Sequence, residues 1–215
     1  MAFQRCLVYG AVMCACLLSR PVWSQEDSFT EPKSGKTFPN KIAFSVDGKE
    51  ITLAATGATQ FVKESKKAIE GKESTQYTMA HYMEAATKEA GQTWYSVILE
   101  KPLTKQMVFS YDADITSESL KKVYMRFFSK VVPTTELEQN KAAVEEFLSA
   151  MNVPISAKQQ FAFRWLSDNR MVLILPGAQE KSLSASPLAS WFWKSWFSDV
   201  SPLDRASLVE KIAQH

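Results

Sequence analysis

Runs in which apolar and polar residues alternate mark most of the predicted strands of this chain. Ile42–Val46 and Ile51–Ala55 flank Asp47-Gly48, and an Asp-Gly pair between two apolar runs is a strong signal for a β-hairpin. Similar patterns predict five further strands: Gln76–Met83, Trp94–Leu99, Gln106–Tyr111, Gln159–Trp165 and Met171–Leu175. The second and third of these are expected to pair through Lys101-Pro102.

Four other stretches follow the helical period of about 3.6 residues. Ser117–Val131 places apolar residues at i, i+3, i+4, i+7 and i+8, with Thr116 as its N-cap. The other three open on a Thr-x-x-Glu capping box or on a Ser-Pro pair. They are predicted from Thr135 to Met151, from Ser186 to Phe197 and from Ser201 to about Ile212. Strands followed by helices, a hairpin and two more helices indicate an α+β fold with a largely antiparallel sheet.

Two polar stretches are expected to lack strands. Gln25–Asn40 contains Pro32, Gly35 and Pro39 and is predicted to be a leader without regular structure. Phe61–Glu73 is rich in lysine and glutamate, with few apolar residues. It is predicted to be a solvated short helix or a loop.

The first 24 residues have the pattern of a secretory signal peptide. Arg5 precedes the apolar run Cys6–Leu18, which is short for a bilayer span, and Pro21 breaks any helix. Val22-Trp23-Ser24 then offers a cleavage site. We expect a signal peptide at 1–24, a polar leader at 25–37 and one domain at 38–215. The mature protein would be periplasmic or secreted, without a stable membrane span; an uncleaved membrane anchor is the alternative.

Composition narrows the possible chemistry further. The 25 Lys and Arg residues nearly balance the 23 Asp and Glu residues, which argues against a nucleic-acid partner, because its recognition needs a clustered basic excess. The three cysteines, Cys6, Cys14 and Cys16, all fall in the predicted signal peptide. The mature chain would therefore hold no disulfide, thiolate metal site or cysteine nucleophile. The sequence leaves the oligomeric state open.

Catalytic and metal-binding residue types are sparse. His81 and His215 are the only histidines, and His81 lies in a predicted strand, where we expect a hydrogen-bonded structural role. Ser119 and Lys122 form an SxxK string without the other motifs of that enzyme class. The seven glycines form no phosphate-binding loop. We therefore expect no catalytic residue, no metal and no cofactor.

The predicted helix ending at Phe197 is unusually aromatic. Its rings could line a site for an apolar ligand or anchor the protein at a membrane surface. We favour core packing for most of them, because aromatic stripes at helical spacing are usually core. Trp193 cannot share a helix face with Trp191, so at least one ring is expected to be exposed or to line a cleft.

Three stretches together resemble the chalcone isomerase-like proteins of bacteria, a secreted branch of the chalcone isomerase superfamily. Leu53–Thr59 resembles the L-x-G-x-G strand end of that family, and Gln76–Glu84 resembles its VY-x-x-x-xYL-E strand. Ser190–Phe197 and Asp199–Arg205 resemble its closing WFG-x-x-P-x-x-x-x-L helices. The order of elements agrees from about Phe38 to the end of the chain.

The resemblance implies an open-faced β-sandwich, in which a large antiparallel sheet carries a layer of helices on one face, with a cleft between them. In the plant enzymes an arginine, a threonine, a tyrosine and an asparagine act on a flavonoid in this cleft, and related plastid proteins bind fatty acids there. This chain has Thr59 and Gln60 in place of the arginine and Tyr77 in place of the threonine. Ser119 and Arg126 occupy the positions at which the family has the helix tyrosine and asparagine. Without the buried positive charge, the isomerase chemistry is not carried over.

We therefore expect an exported, non-catalytic chalcone isomerase-like protein whose cleft binds a small apolar ligand, lipid-like or polyphenol-like. One alternative is an isomerase or intramolecular lyase with a non-standard site, which would use Tyr77, His81, Tyr82 and Arg126. A second alternative is a protein–protein interaction module that docks through the Trp-rich helix. The candidate cleft residues are Thr59, Gln60, Tyr77, Met79, His81, Ser119, Val123, Arg126 and Trp191.

Overall fold

The computed structural model describes residues 27–62, 76–177, 179–184 and 187–213. The predicted signal peptide lies outside these ranges, as does most of the helix or loop predicted at Phe61–Glu73. Within the described ranges, no helix combines the length and the apolar character that crossing a membrane requires.

The strands form a short hairpin and a seven-stranded sheet, and every pair of neighbours is antiparallel. The hairpin consists of β1 (Ser28–Thr30) and β2 (Thr37–Pro39). The large sheet runs in chain order through β3 (Lys41–Val46), β4 (Lys49–Val62), β5 (Gln76–Met83), β6 (Lys105–Tyr111), β7 (Gln160–Trp165), β8 (Met171–Leu175) and β9 (Gln179–Leu183). This arrangement confirms the predicted α+β fold with a large antiparallel sheet.

The helices of the described ranges pack together against the large sheet. They are α1 (Trp94–Glu100), α2 (Ser117–Val131), α3 (Thr134–Gln139), α4 (Lys141–Ala150), α5 (Leu188–Phe197) and α6 (Arg205–Ala213). α5 contacts both α1 and α2, and α6 lies on β4 and β5.

The large sheet buries side chains on both faces, because successive residues of a strand point to opposite sides. On the helix face, residues such as Tyr77 and Phe109 belong to the main core with the helices. On the hairpin face, Val108 and Ala162 pack in a smaller core that includes Phe38 of β2. The helices therefore cover one face, as predicted, and the β1–β2 hairpin covers part of the other.

The prediction of a strand at Trp94–Leu99 is wrong, because this segment forms helix α1. Thr93 and Ser96 form a capping box: the Thr93 hydroxyl accepts from the Ser96 amide at 3.1 Å, and Ser96 Oγ accepts from the Thr93 amide at 3.2 Å. Val97 and Ile98 are buried beneath the helix. A short apolar run fits a strand as well as a helix, and here the cap decides for the helix.

The structure differs from the predicted elements in three other places. The stretch Gln25–Asn40, predicted without regular structure, contains β1 and β2, which Phe38 anchors in the core. β9 was not predicted, because its sequence is mostly polar and its residues lie at an exposed sheet edge. The single helix predicted from Thr135 to Met151 is divided at Asn140 into α3 and α4.

Candidate functional site

Four of the predicted cleft residues lie on the helix face of the large sheet. Thr59 on β4 is the register partner of Met79 on β5, and both are buried. Tyr77 and His81 share that face of β5, since side chains alternate along a strand. Their rings contact rings of α5, so these residues do border the helical layer.

Three other predicted cleft residues point elsewhere, which corrects the sequence analysis. Gln60 follows Thr59 on β4 and therefore lies on the hairpin face. Ser119 and Arg126 are exposed on α2, and Val123 is only half-buried at the margin of the core. The buried residues of α2 are Leu120, Tyr124, Phe127 and Phe128. The family resemblance therefore assigned a ligand-binding role to Ser119 and Arg126, which lie on the outward face of the helix.

Helix α5 buries every one of its large aromatic rings. These rings belong to Trp191, Phe192, Trp193, Trp196 and Phe197. Trp193 packs on Trp165 of β7 with 5.5 Å between ring centroids, and Trp191 donates from Nε1 to Glu136 at 3.0 Å on the opposite side. The predicted core packing is confirmed, whereas the prediction of an exposed ring is wrong, because neighbouring elements enclose the helix at every aromatic position and leave Lys194 exposed. α5 therefore presents no aromatic docking surface.

Aromatic rings fill the space between the sheet and helices α2 and α5. Phe163 and Phe192 approach to 4.1 Å between centroids, and Phe127 and Trp196 approach to 4.4 Å. We call the whole set the aromatic layer; its other members are Tyr77, Phe109, Tyr111, Tyr124, Phe147 and Phe161. The layer occupies the position at which a cleft between sheet and helices was predicted.

Three polar atoms of the aromatic layer lack a hydrogen-bond partner among the described residues. They are the hydroxyl of Tyr77, the hydroxyl of Tyr124, which lies beside Tyr111, and the indole Nε1 of Trp196. Each of these residues is 1% exposed. A buried donor without a partner costs about 1–3 kcal/mol, and native structures contain few of them. The three donors are therefore the feature of this layer that core packing does not explain.

The buried phenols remain neutral donors at physiological pH. Burial raises the pKa of Tyr77 and Tyr124 well above the ordinary value for tyrosine, and the neighbouring Tyr111 raises both further. Burial also raises the pKa of Tyr111. Each hydroxyl therefore keeps its proton, so these groups can donate hydrogen bonds but cannot act as bases.

Both ring nitrogens of His81 are hydrogen-bonded in a structural network that joins β4, β5, α5 and α6. Trp193 Nε1 donates to His81 Nε2 at 3.1 Å, so the proton of the neutral ring lies on Nδ1, which donates to Thr56 Oγ1 at 2.7 Å. The Thr56 hydroxyl in turn donates to the Leu208 carbonyl of α6 at 2.6 Å. Burial, and secondarily Lys105, lowers the pKa of His81 well below its usual value. The geometry agrees with the structural role predicted for this histidine.

Helix α6 lies directly on β4 at Gly57. A Cβ atom at Gly57 would come within 2.0 Å of the Ser207 carbonyl oxygen and 2.8 Å of the Leu208 carbonyl carbon. Any side chain here would collide with backbone, so glycine is required for this close approach. The neighbouring Thr56 then reaches α6 to form its hydrogen bond to Leu208.

Lys105, which was not among the predicted site residues, is a fully buried lysine at the start of β6. Its Nζ donates to the carbonyls of Ile98 and Lys101, at the C-terminal end of α1. Nζ also lies 3.9 Å from the centroid of the Trp165 ring. Burial lowers the pKa of Lys105 from 10.5 to about 7. The contacts complete the end of a helix, where partial negative charge favours a cation.

The residues of the alternative enzyme site do not converge. Tyr77 belongs to the aromatic layer, and His81 is occupied on both ring nitrogens. Tyr82 lies on the hairpin face and donates to the Pro39 carbonyl at 3.0 Å, whereas Arg126 is exposed on α2. A common reacting point within hydrogen-bonding reach of two or more of them is the minimum for such a site. Within the described residues, no group of three His, Cys, Asp or Glu side chains could hold a metal ion.

Comparisons with known proteins agree with this architecture. A family model described as chalcone isomerase-like matches residues 35–208. Among solved structures, the chain is similar to a fatty-acid binding protein of Arabidopsis thaliana, with a TM-score of 0.64, 12% identity, and coverage of 87% of this chain and 96% of the other. No curated protein matches the chain. The family match spans most of the sequence and coincides with the sheet and its helical layer, and the chain therefore belongs to the chalcone isomerase-like family.

Proposed function

We propose that this protein binds, without chemical conversion, a neutral apolar molecule that carries an oxygen acceptor, in the layer between the sheet and helices α2 and α5. The observation that carries the proposal is the set of three buried donors without partners, on Tyr77, Tyr124 and Trp196. An ether, ester or ketone oxygen of the ligand would accept hydrogen bonds from them. The surrounding rings would contact the apolar remainder.

The charge of the surroundings supports a neutral ligand. Thr59 and Gln60 stand where the family resemblance places an arginine, and Arg126 is exposed on α2. A carboxylate among phenol and indole donors alone would be buried without a counter-charge, which is costly. The fold shared with a fatty-acid binding protein supports an apolar ligand, while the residues of this chain favour an ester or ketone end over a carboxylate.

Binding requires the aromatic layer to open. Because its rings are in close contact, the ligand has to bind a conformation in which the rings of α2 separate from those of the sheet. A ligand that binds only that conformation shifts the population toward it. The unpartnered donors favour such opening, since they gain hydrogen bonds in the complex that the closed layer does not provide.

Titration calorimetry with methyl laurate and with laurate tests the proposal. We expect the wild type to bind methyl laurate at least about ten-fold more tightly than laurate, because of the cost of burying the charge. Tyr77→Phe and Tyr124→Phe each remove one donor, and each should weaken methyl laurate binding about five- to ten-fold. Tyr77→Phe should be no less stable than the wild type, since it removes an unpartnered buried hydroxyl.

Tyr95→Phe provides the matched control, because Tyr95 on α1 lies outside the aromatic layer. It should leave the affinity for methyl laurate within about two-fold of the wild type. Tighter binding of laurate than of its ester, or unchanged affinity in both Tyr77→Phe and Tyr124→Phe, would contradict the proposal.

Export is part of the same proposal. The pattern of residues 1–24 supports cleavage after Ser24 and delivery of the protein to the periplasm or the exterior. A ligand-binding protein outside the cytoplasm would meet lipids and aromatic compounds from the surroundings.

A further inference from the structure

A cavity of about 470 Å³ lies on the hairpin face of the large sheet, on the opposite side from the aromatic layer. Val108, Ala162 and Ile174, on three adjacent strands, line it together with Ile42 on β3, and Phe38 on β2 lines it from the hairpin. Its volume falls within the range of about 300–1,000 Å³ that is usual for small-molecule sites. The proposed function makes no use of this cavity.

The hairpin that covers the cavity is fixed in place by polar contacts with the sheet. Lys36, in the turn of the hairpin, pairs with Asp112 at 2.6 Å and donates to the Ser110 carbonyl at 2.7 Å. At the other end, the Tyr82 hydroxyl donates to the Pro39 carbonyl at 3.0 Å. The cavity is therefore formed before any ligand arrives, which lowers the entropic cost of binding.

Gln106, a buried polar residue that lines the cavity, has side-chain N–H groups that are not used as hydrogen-bond donors within the described ranges. Gln106 is 4% exposed, and its Oε1 accepts from Arg164 Nε at 2.8 Å. The Arg164 guanidinium is held by Glu180 at 3.2 Å and lies 3.4 Å from the centroid of the Phe44 ring. This arrangement fixes the amide of Gln106 with its oxygen toward Arg164. The amide nitrogen of Gln106 makes no hydrogen bond to any other described residue, so its N–H groups are available to a ligand.

We propose that this cavity is a second ligand site, for a neutral, mostly apolar molecule whose carbonyl oxygen accepts a hydrogen bond from the amide of Gln106. None of the described residues that line the cavity is ionisable, which disfavours a charged ligand. The apolar strand residues contact the body of the molecule. The site differs from the aromatic layer in its position, in its donor and in being open without rearrangement.

The test uses prodan, a neutral naphthalene ketone whose emission shifts to shorter wavelength in apolar surroundings. We expect saturable binding to the wild type with that shift. Ala162→Phe places a ring in the cavity and should abolish the binding. Gln106→Glu keeps the acceptor for Arg164 but replaces the free N–H groups by an oxygen, and it should weaken binding at least about ten-fold.

Two matched controls carry the same substitutions at exposed positions, Ala142→Phe on α4 and Gln139→Glu on α3. Both should leave prodan binding within about two-fold of the wild type. The inference is overturned if prodan does not bind, or if Ala162→Phe and Gln106→Glu bind it as the wild type does. Binding that is lost in Tyr77→Phe but kept in Gln106→Glu also overturns it, and would assign the probe to the aromatic layer instead.

Discussion

Replacing Lys105 by methionine should abolish a rise in stability with pH that the wild type shows above neutrality. Burial lowers the pKa of this lysine from 10.5 to about 7 in the folded protein. The unfolded chain therefore binds more protons than the folded one between these two values. Stability rises with pH wherever the unfolded state binds more protons, so deprotonation of Lys105 stabilises the fold relative to the unfolded chain from pH 7 upward.

The magnitude follows from the same two pKa values. At pH 7 the folded lysine is about half protonated, whereas at pH 9 it is almost fully neutral and the unfolded lysine still holds its proton. A difference of one proton changes the free energy of unfolding by about 1.4 kcal/mol for each pH unit. Between pH 7 and pH 9 the wild type should therefore gain about 2 kcal/mol.

Urea unfolding at pH 7, 8 and 9 measures this change. The window stops at pH 9 because the buried tyrosines, whose pKa values are raised, act in the opposite direction once unfolded tyrosine ionises near pH 10. Lys105→Met should show a rise below about 0.5 kcal/mol over the same range. A wild-type free energy of unfolding that is flat or falling, or an equal rise in Lys105→Met, would show that Lys105 does not lose its proton near neutral pH in the folded protein.

Two further predictions concern the histidine network and export. His81→Leu leaves the Trp193 indole N–H buried without its acceptor and should lower the free energy of unfolding by about 3 kcal/mol in urea titrations; unchanged stability would show that the network is not structural. Exported protein should begin at Gln25 on N-terminal sequencing, because Val22-Trp23-Ser24 is the expected cleavage site; a sequence that begins at Met1 would disprove cleavage there.

Local signals in the sequence were sufficient for much of the fold. The Asp47-Gly48 pair predicted the β3–β4 hairpin, and both residues adopt the positive φ angles, 51° and 78°, that such a two-residue turn requires. The apolar spacing of Ser117–Val131 predicted α2 with the bounds that the structure has. In both cases the decisive interactions lie within a few residues, so the sequence pattern contains them.

The candidate site was less predictable, because it depends on contacts between distant segments. The helical period placed Tyr124 on the inward face of α2, but its role as an unpartnered donor requires the positions of α5 and β5 as well. Strand alternation alone would have placed Gln60 opposite to Thr59 and excluded it from the cleft. The pKa of Lys105 could not be predicted, because its burial results from packing beside Trp165.

A crystal structure of the protein with methyl laurate would show whether the aromatic layer binds the ligand. We expect the ester oxygen to lie within about 3.2 Å of at least one of the three donors, Tyr77 Oη, Tyr124 Oη and Trp196 Nε1. We also expect the hydrocarbon chain to lie between the sheet and α2, with the rings of the aromatic layer moved apart. An ester bound outside the aromatic layer, with the three donors still unpartnered, would disprove the proposed function.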